Sequence, residues 1–206
     1  MGAVFGLGRF VETLNVINAM FKHIFAGKDD MRDGPIDAAE LKAIRFWLVF
    51  FMVALALSGI TAFPLATELG FLDRFCGIGS SLGRSVPPLG EWISRVHAGV
   101  AATGRLYPFM AYGTDWLAFA HLVIAAVFFG PIRDPVRNKW VVDFGLIACV
   151  AIFPLALICA PIRSIPWFWT LIDCSFGVIG FFPLWMVKRR IDRLETAAGT
   201  ARRLAG

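Results

Sequence analysis

The sequence predicts an all-α polytopic membrane protein. It has four transmembrane helices, an N-terminal interfacial amphipathic helix and an outer-face amphipathic helix. Three observations carry this. Residues 46–67 run twenty-two positions without a charge, and three more apolar stretches follow at 116–132, 140–162 and 164–187, bounded by Arg, Lys or Asp. A helix needs about 20 apolar residues to cross the roughly 30 Å hydrocarbon layer, where each backbone amide must be satisfied within its own segment. Second, 58% of the 206 residues are hydrophobic and 17% charged, against about 45–50% and about 25% in soluble domains; the excess is lipid-facing surface. Third, fifteen of the twenty basic residues fall on one side of this threading: before residue 46, in the loop holding Arg133, Arg137 and Lys139, and from Lys188 onward. Positive residues stay cytoplasmic, so both termini are expected inside. The charge of +5 then orients the bundle and meets anionic headgroups, which leaves no role for nucleic acid.

Taken in order, residues 1–36 form a cytoplasmic-face amphipathic helix and a polar hinge. Leu7, Phe10, Val11, Leu14, Ile17, Phe21, Ile24 and Phe25 recur at helical spacing within residues 4–25, with Arg9, Glu12, Asn15, Asn18 and Lys22 between them. Such a helix lies in the membrane plane or along a neighbouring protein's helix. No compact basic region, apolar core and small-residue cleavage site stand at the start, so the first span is expected to act as an uncleaved signal. Residues 27–35 are the hinge, and Asp37 with Glu40 resembles a capping box opening the first span. Residues 37–187 form the four-helix bundle; Pro64 kinks or closes its first helix.

The outer segment spans residues 65–115. Residues 75–88, rich in Gly, Ser and Pro, read as irregular. Leu89, Trp92, Ile93, Val96 and Val100 then form one face of a helix over 89–105 that caps the bundle, and Thr114-Asp115 caps the second span. The last three spans are joined by turns at 130–139 and 160–166, so they are expected to be antiparallel neighbours. Residues 188–206 are a basic cytoplasmic tail. Trp47, Trp140 and Trp185 fall at the inner boundary and Trp92, Trp116, Trp167 and Trp169 in or beside the outer segments, as interfacial tryptophans do.

Ionisable groups at membrane depth are expensive, and each is a functional candidate. Asp173 lies about seven residues into the last span, roughly 10 Å below the outer boundary. With Asp115, His121 and Arg163 it makes a candidate outer-half polar cluster: either a protonatable relay or ligand site, or an ion pair and hydrogen bonds fixing helix register. Asp143 is expected to make inner-edge ion pairs with Arg133, Arg137 and Lys139. Pro131-Ile132-Arg133 with Asp143, and Pro161-Ile162-Arg163 with Asp173, are offset by thirty residues, a pattern open to reading as an inverted repeat or as two ordinary membrane turns. Cys76, Cys149, Cys159 and Cys174 show no zinc or CxxC spacing and read as small apolar residues. No metal site and no catalytic motif is expected.

The stretch Arg45-Phe46-Trp47 to Ser58-Gly59 is similar to the first helix of b-type cytochrome membrane anchors, where an Arg followed by His-Trp opens the helix and Thr/Ser-Gly closes it. Phe46-Trp47 stands where that family's ligand histidine would be. The resemblance implies haem b, with His97 and His121 as the candidate ligands on this chain, since bis-histidine ligation needs two facing imidazoles. Residues 107–138, with Tyr107-Pro108-Phe109, Tyr112-Gly113-Thr114-Asp115-Trp116 and Asp134-Pro135-Val136-Arg137-Asn138, resemble a family of uncharacterised bacterial four-span integral membrane proteins, and the likeness extends through the last three spans. It implies a bacterial inner membrane and no particular activity. Function is therefore expected to be non-enzymatic: an accessory, scaffold or anchoring component of a larger membrane assembly, with the lipid bilayer and a membrane-protein partner or a homo-oligomer as its contacts. The alternatives are an electron-transfer anchor binding one haem b or quinone, and a proton-coupled transporter working as a homo-oligomer.

Overall fold

The structure, a computed structural model, describes residues 38–204. The amphipathic segment 4–25, the hinge 27–35 and Asp37 lie outside the described residues. What is described is all-α: α1 Ala38–Ala62, α2 Leu65–Cys76, α3 Ser81–Ser85, α4 Pro87–Leu106, a 3-10 turn Pro108–Met110, α5 Ala111–Val127, α6 Phe129–Arg133, α7 Lys139–Ile162 and α8 Trp167–Leu204. Four helical stretches are long and apolar enough to cross a membrane, Ala38–Ala62, Pro108–Arg133, Lys139–Ile162 and Trp167–Ala197.

Pro64 closes α1 as expected. Its carbonyl accepts from the Thr67 and Glu68 amides, so the chain restarts as α2, a helix the sequence reading had missed. The second span begins earlier than Thr114-Asp115. Pro108 opens the 3-10 turn, and the Thr114 hydroxyl donates to the Ala111 carbonyl within the helix, so neither residue caps it. The turn after α7 is closed by Ser164 in the left-handed region at φ 57°, with the Ile165 amide returning to the Ala160 carbonyl at 2.9 Å. That places the reversal where helix-ending residues reverse.

The packing order differs from the expected chain of neighbours. α5 packs on α1, α1 on α8 and α8 on α7, while α5 has no extensive contact with α7 or α8. The connection from α5 to α7 is long enough to avoid adjacency, because α6 fills the gap: its Pro131 and Ile132 are buried, and it touches both α1 and α7.

We call the end of the bundle carrying the basic clusters the basic end, and the opposite end the far end. Among the described residues every large side chain that is fully buried lies towards the basic end: Ile44 and Leu48 of α1, Phe128 just before α6 and Pro131 within it, Val141 and Val142 of α7, and Leu184, Val187 and Ile191 of α8. Phe128 is the keystone, its ring 4.8 Å from that of Phe51 and against Gly145, where a Cβ would stand 2.9 Å from it. Towards the far end Leu155, Ile158, Phe176 and Ile179 are exposed; in a membrane these faces meet acyl chains or other helices. Two close approaches hold the spans there. A Cβ on Gly59 would stand 2.8 Å from the Ala118 carbonyl, and one on Gly177 would stand 2.7 Å from the Cys149 carbonyl. Small residues at such crossings let membrane helices pack without a hydrophobic drive between them.

α8 has 38 residues, roughly 57 Å at 1.5 Å per residue, so it outruns the bilayer. The segment read as a basic tail continues the helix because its charges have partners. Lys139 Nζ lies 2.6 Å from Asp192 and 2.7 Å from Glu195, Lys188 pairs with Asp143, and Arg190 pairs with Glu40. This corrects the expected inner-edge set. Asp143 takes Lys188 rather than Arg133, Arg137 or Lys139, and Arg133 and Arg137 join no ion pair among the described residues. The cause is the antiparallel register of α7 on α8, which sets residue 139 opposite 192 and 143 opposite 188. The two Pro-Ile-Arg copies also fall in unlike surroundings, since Pro131 is buried and Pro161 exposed.

Candidate functional site

At the far end α2 and α4 pack on each other and carry a polar clamp. The Ser94 hydroxyl donates to Asp73 Oδ1 at 2.5 Å, His97 Nδ1 lies 3.0 Å from Asp73 Oδ2, and the Ile78 amide donates to Ser94 Oγ at 3.1 Å. Ser94 and His97 are three residues apart on α4, hence on one face. The connection from α2 must pass very close for this to form. A Cβ on Gly77 would collide with the Asp73 carboxylate and stand 2.8 Å from Ser94 Oγ, and one on Gly83 would collide with the Gly77 carbonyl. The Gly/Ser richness of residues 75–88, expected to be irregular, therefore serves compactness. Ser80 caps α3 by accepting from the Gly83 amide at 2.8 Å.

Chemically the clamp is a fastening. A hydrolytic relay needs the imidazole between hydroxyl and carboxylate, whereas here Asp73 stands between Ser94 and His97 and takes a hydrogen bond from each. Those bonds, Ser94's first and then His97's, hold the Asp73 carboxyl below the usual carboxylate range, partly opposed by burial. A carboxyl depressed in the folded state adds stability above its unfolded value, and that stability is lost as pH falls through the folded one. The clamp is therefore expected to be insensitive to Asp73 titration near neutrality and to loosen only below about pH 4. Near-UV circular dichroism would report it through Trp92 and Trp169, whose rings lie 6.3 Å apart. The parent should lose signal below that pH, and Asp73→Asn should show a flat profile there. A parent transition near pH 6 that survives in Asp73→Asn would contradict this assignment.

The expected cluster of Asp115, His121, Arg163 and Asp173 is not assembled. No hydrogen bond or ion pair joins any two of the four among the described residues. His121 Nδ1 lies 2.8 Å from the Leu117 carbonyl of its own helix, and its Cβ faces Gly59 of α1. Asp173 belongs to α8, on which α5 does not pack. Of the two candidate haem ligands, His97 is tied to Asp73 and His121 faces α1.

Asp173 instead occupies an internal seam. Thr170, Gly177, Leu184 and Ile191 recur every seven residues along α8, as do Asp173, Gly180, Val187 and Leu194. All are buried except Asp173 and Gly180, which are half-buried. This is the a/d spacing of helices packed in a left-handed crossing. The α7–α8 register that pairs 143 with 188, and Cys149 with Gly180, when continued, sets Ala156 opposite Asp173. Alanine has no polar group to offer, and Asp173 has no hydrogen-bond or ionic partner among the described residues. Sequence reasoning found Asp173 and His97 but missed Asp73 and Ser94. The available signal was the Ser94-x-x-His97 spacing on an amphipathic helix, preceded by Asp73 one helical turn before Gly77.

The chain matches no protein-family model, no curated protein and no solved structure.

Proposed function

We propose that this chain is a non-enzymatic membrane protein that works through helix contacts, as an accessory, scaffold or anchoring component of a larger bacterial membrane assembly, with both termini cytoplasmic. The observation that carries the reading is Asp173, a carboxylate two turns inside a membrane-spanning helix, on its packing seam and without a partner among the described residues. Such a group costs several kcal/mol unless a donor meets it. A neighbouring helix with a hydroxyl, amide, imidazole or cationic group supplies that donor and gains a fixed register. The cytoplasmic placement of the termini rests on the basic clusters.

Purification from native membranes in mild detergent, with mass spectrometry of co-purifying proteins and an absorption spectrum, tests the reading. The expected result is a colourless preparation with a stoichiometric membrane-protein partner that Asp173→Leu fails to retain. A Soret band would replace the proposal with an electron-transfer anchor using His97 or His121. A partner-free oligomer that dissipates a pH gradient would replace it with a proton-coupled transporter.

A further inference from the structure

A groove of about 700 Å³ opens at the far end between the start of α4 and the start of α8. Its apolar walls are Val86, Leu89 and Trp92 on one side and Trp167, Phe168 and Ile172 on the other. Glu91 and Arg95 also line it. They stand one helical turn apart, in the order that favours an intrahelical pair, yet both are exposed and neither makes an ion pair or hydrogen bond among the described residues. The Trp92 indole N–H is buried without an acceptor among the described residues, so the chain's own polar groups do not complete that wall. The groove lies at the mouth of a membrane span, where the surrounding molecules are lipids and where Trp and Arg ordinarily meet headgroups.

We propose that this groove binds a phospholipid with an amine-bearing, zwitterionic headgroup, a phosphatidylethanolamine. The acyl chains run along the aromatic and aliphatic walls towards Ile172, Arg95 meets the phosphate and Glu91 meets the ammonium. Charge complementarity selects this headgroup. A lone Arg would accept any phospholipid, but an unpaired Glu one turn away repels an anionic headgroup and favours one that ends in a cation. Both groups of a phosphoethanolamine lie within a few bonds of each other, matching two side chains on adjacent turns.

The full-length protein in detergent, incubated with equimolar dioleoyl phosphatidylethanolamine and dioleoyl phosphatidylglycerol and read by native mass spectrometry, tests the assignment. Phosphatidylethanolamine should be retained about fivefold over phosphatidylglycerol, the scale of one exposed charge contact. Glu91→Gln should bring that ratio close to one, and Arg95→Gln should lower retention of both lipids. Both positions are exposed, so helicity should match the parent, and the parent's own lipid ratio decides the matter without any variant. Soluble glycerophosphoethanolamine should not compete, because it lacks the chains the walls hold. Equal retention of the two lipids by the parent, an unchanged ratio in Glu91→Gln, or effective competition by the soluble headgroup would each overturn the proposal.

Discussion

Phe128→Ala is expected to loosen the contacts among all four spans and to lower stability by about 1–3 kcal/mol. The side chain is fully buried and lies against Phe51 of α1 and the Gly145 position of α7. In a soluble core, removing a buried Phe costs about 3–5 kcal/mol, combining lost transfer energy and a cavity. In a membrane the transfer part largely vanishes, because the unfolded reference keeps the ring in lipid, and lost packing remains. Reversible unfolding in mixed micelles with increasing anionic detergent would measure it. Phe176→Ala is the control: a Phe of the same span set, but exposed, expected to change stability by no more than about 0.5 kcal/mol. Equal costs at the two positions would contradict a bundle closed at its basic end and open at the other.

That asymmetry was not legible in the sequence, and the reason is physical. Uncharged stretches show which residues a bilayer will hold, because charge in lipid is expensive anywhere along a span. They do not show which faces meet protein, because lipid and leucine are alike in polarity. The existence of four spans was therefore readable, although the second begins earlier than expected, at Pro108, and the last continues to Ala197, while their neighbour order was not. Short connections suggested α5 beside α7, but buried Pro131 and Ile132 hold those helices apart.

Two further elements were hidden for related reasons. α2 mixes Glu68, Asp73 and Arg74 with its apolar residues, so no helix was expected there within the outer segment, although Asp73 is what binds it to α4. The run from Lys188 to Glu195 read as a solvated basic tail. Yet Ile191 and Leu194 continue the seven-residue seam of α8, and Asp192 and Glu195 receive Lys139. Charge alone signalled solvent; the periodicity beneath it signalled helix. For the candidate site, Asp173 stood out from its depth. Its grouping with His121 and Arg163 assumed that residues at one depth meet, which fails when their helices are not packed together.

Asp173 gives the second large expectation, and the structure sets its sign. Had Arg163 or His121 been its partner, Asp173→Leu would strand a buried polar group and destabilise the chain. With Ala156 opposite and no partner among the described residues, Leu instead extends the alternation of Leu184, Val187, Ile191 and Leu194 along the seam. Removing an uncompensated carboxylate from membrane depth should then raise the stability of the isolated chain by about 2 kcal/mol. The same change should abolish retention of the membrane partner, because the contact it removes is the one a neighbouring helix was meeting. Asp173→Asn keeps an acceptor and adds a donor, so it should retain most of the partner, at a cost on the order of 1 kcal/mol for the charge-assisted part of the bond. Folded yield in detergent, unfolding midpoint and partner recovery, measured for the two variants together, separate the cases. Loss of stability in Asp173→Leu would mean that the chain supplies a partner after all, and the helix-contact reading would lose its main support. An Asn variant that folds and keeps its partner but has lost its cellular role would instead assign Asp173 to proton transfer, since only that role requires the ionisable group itself.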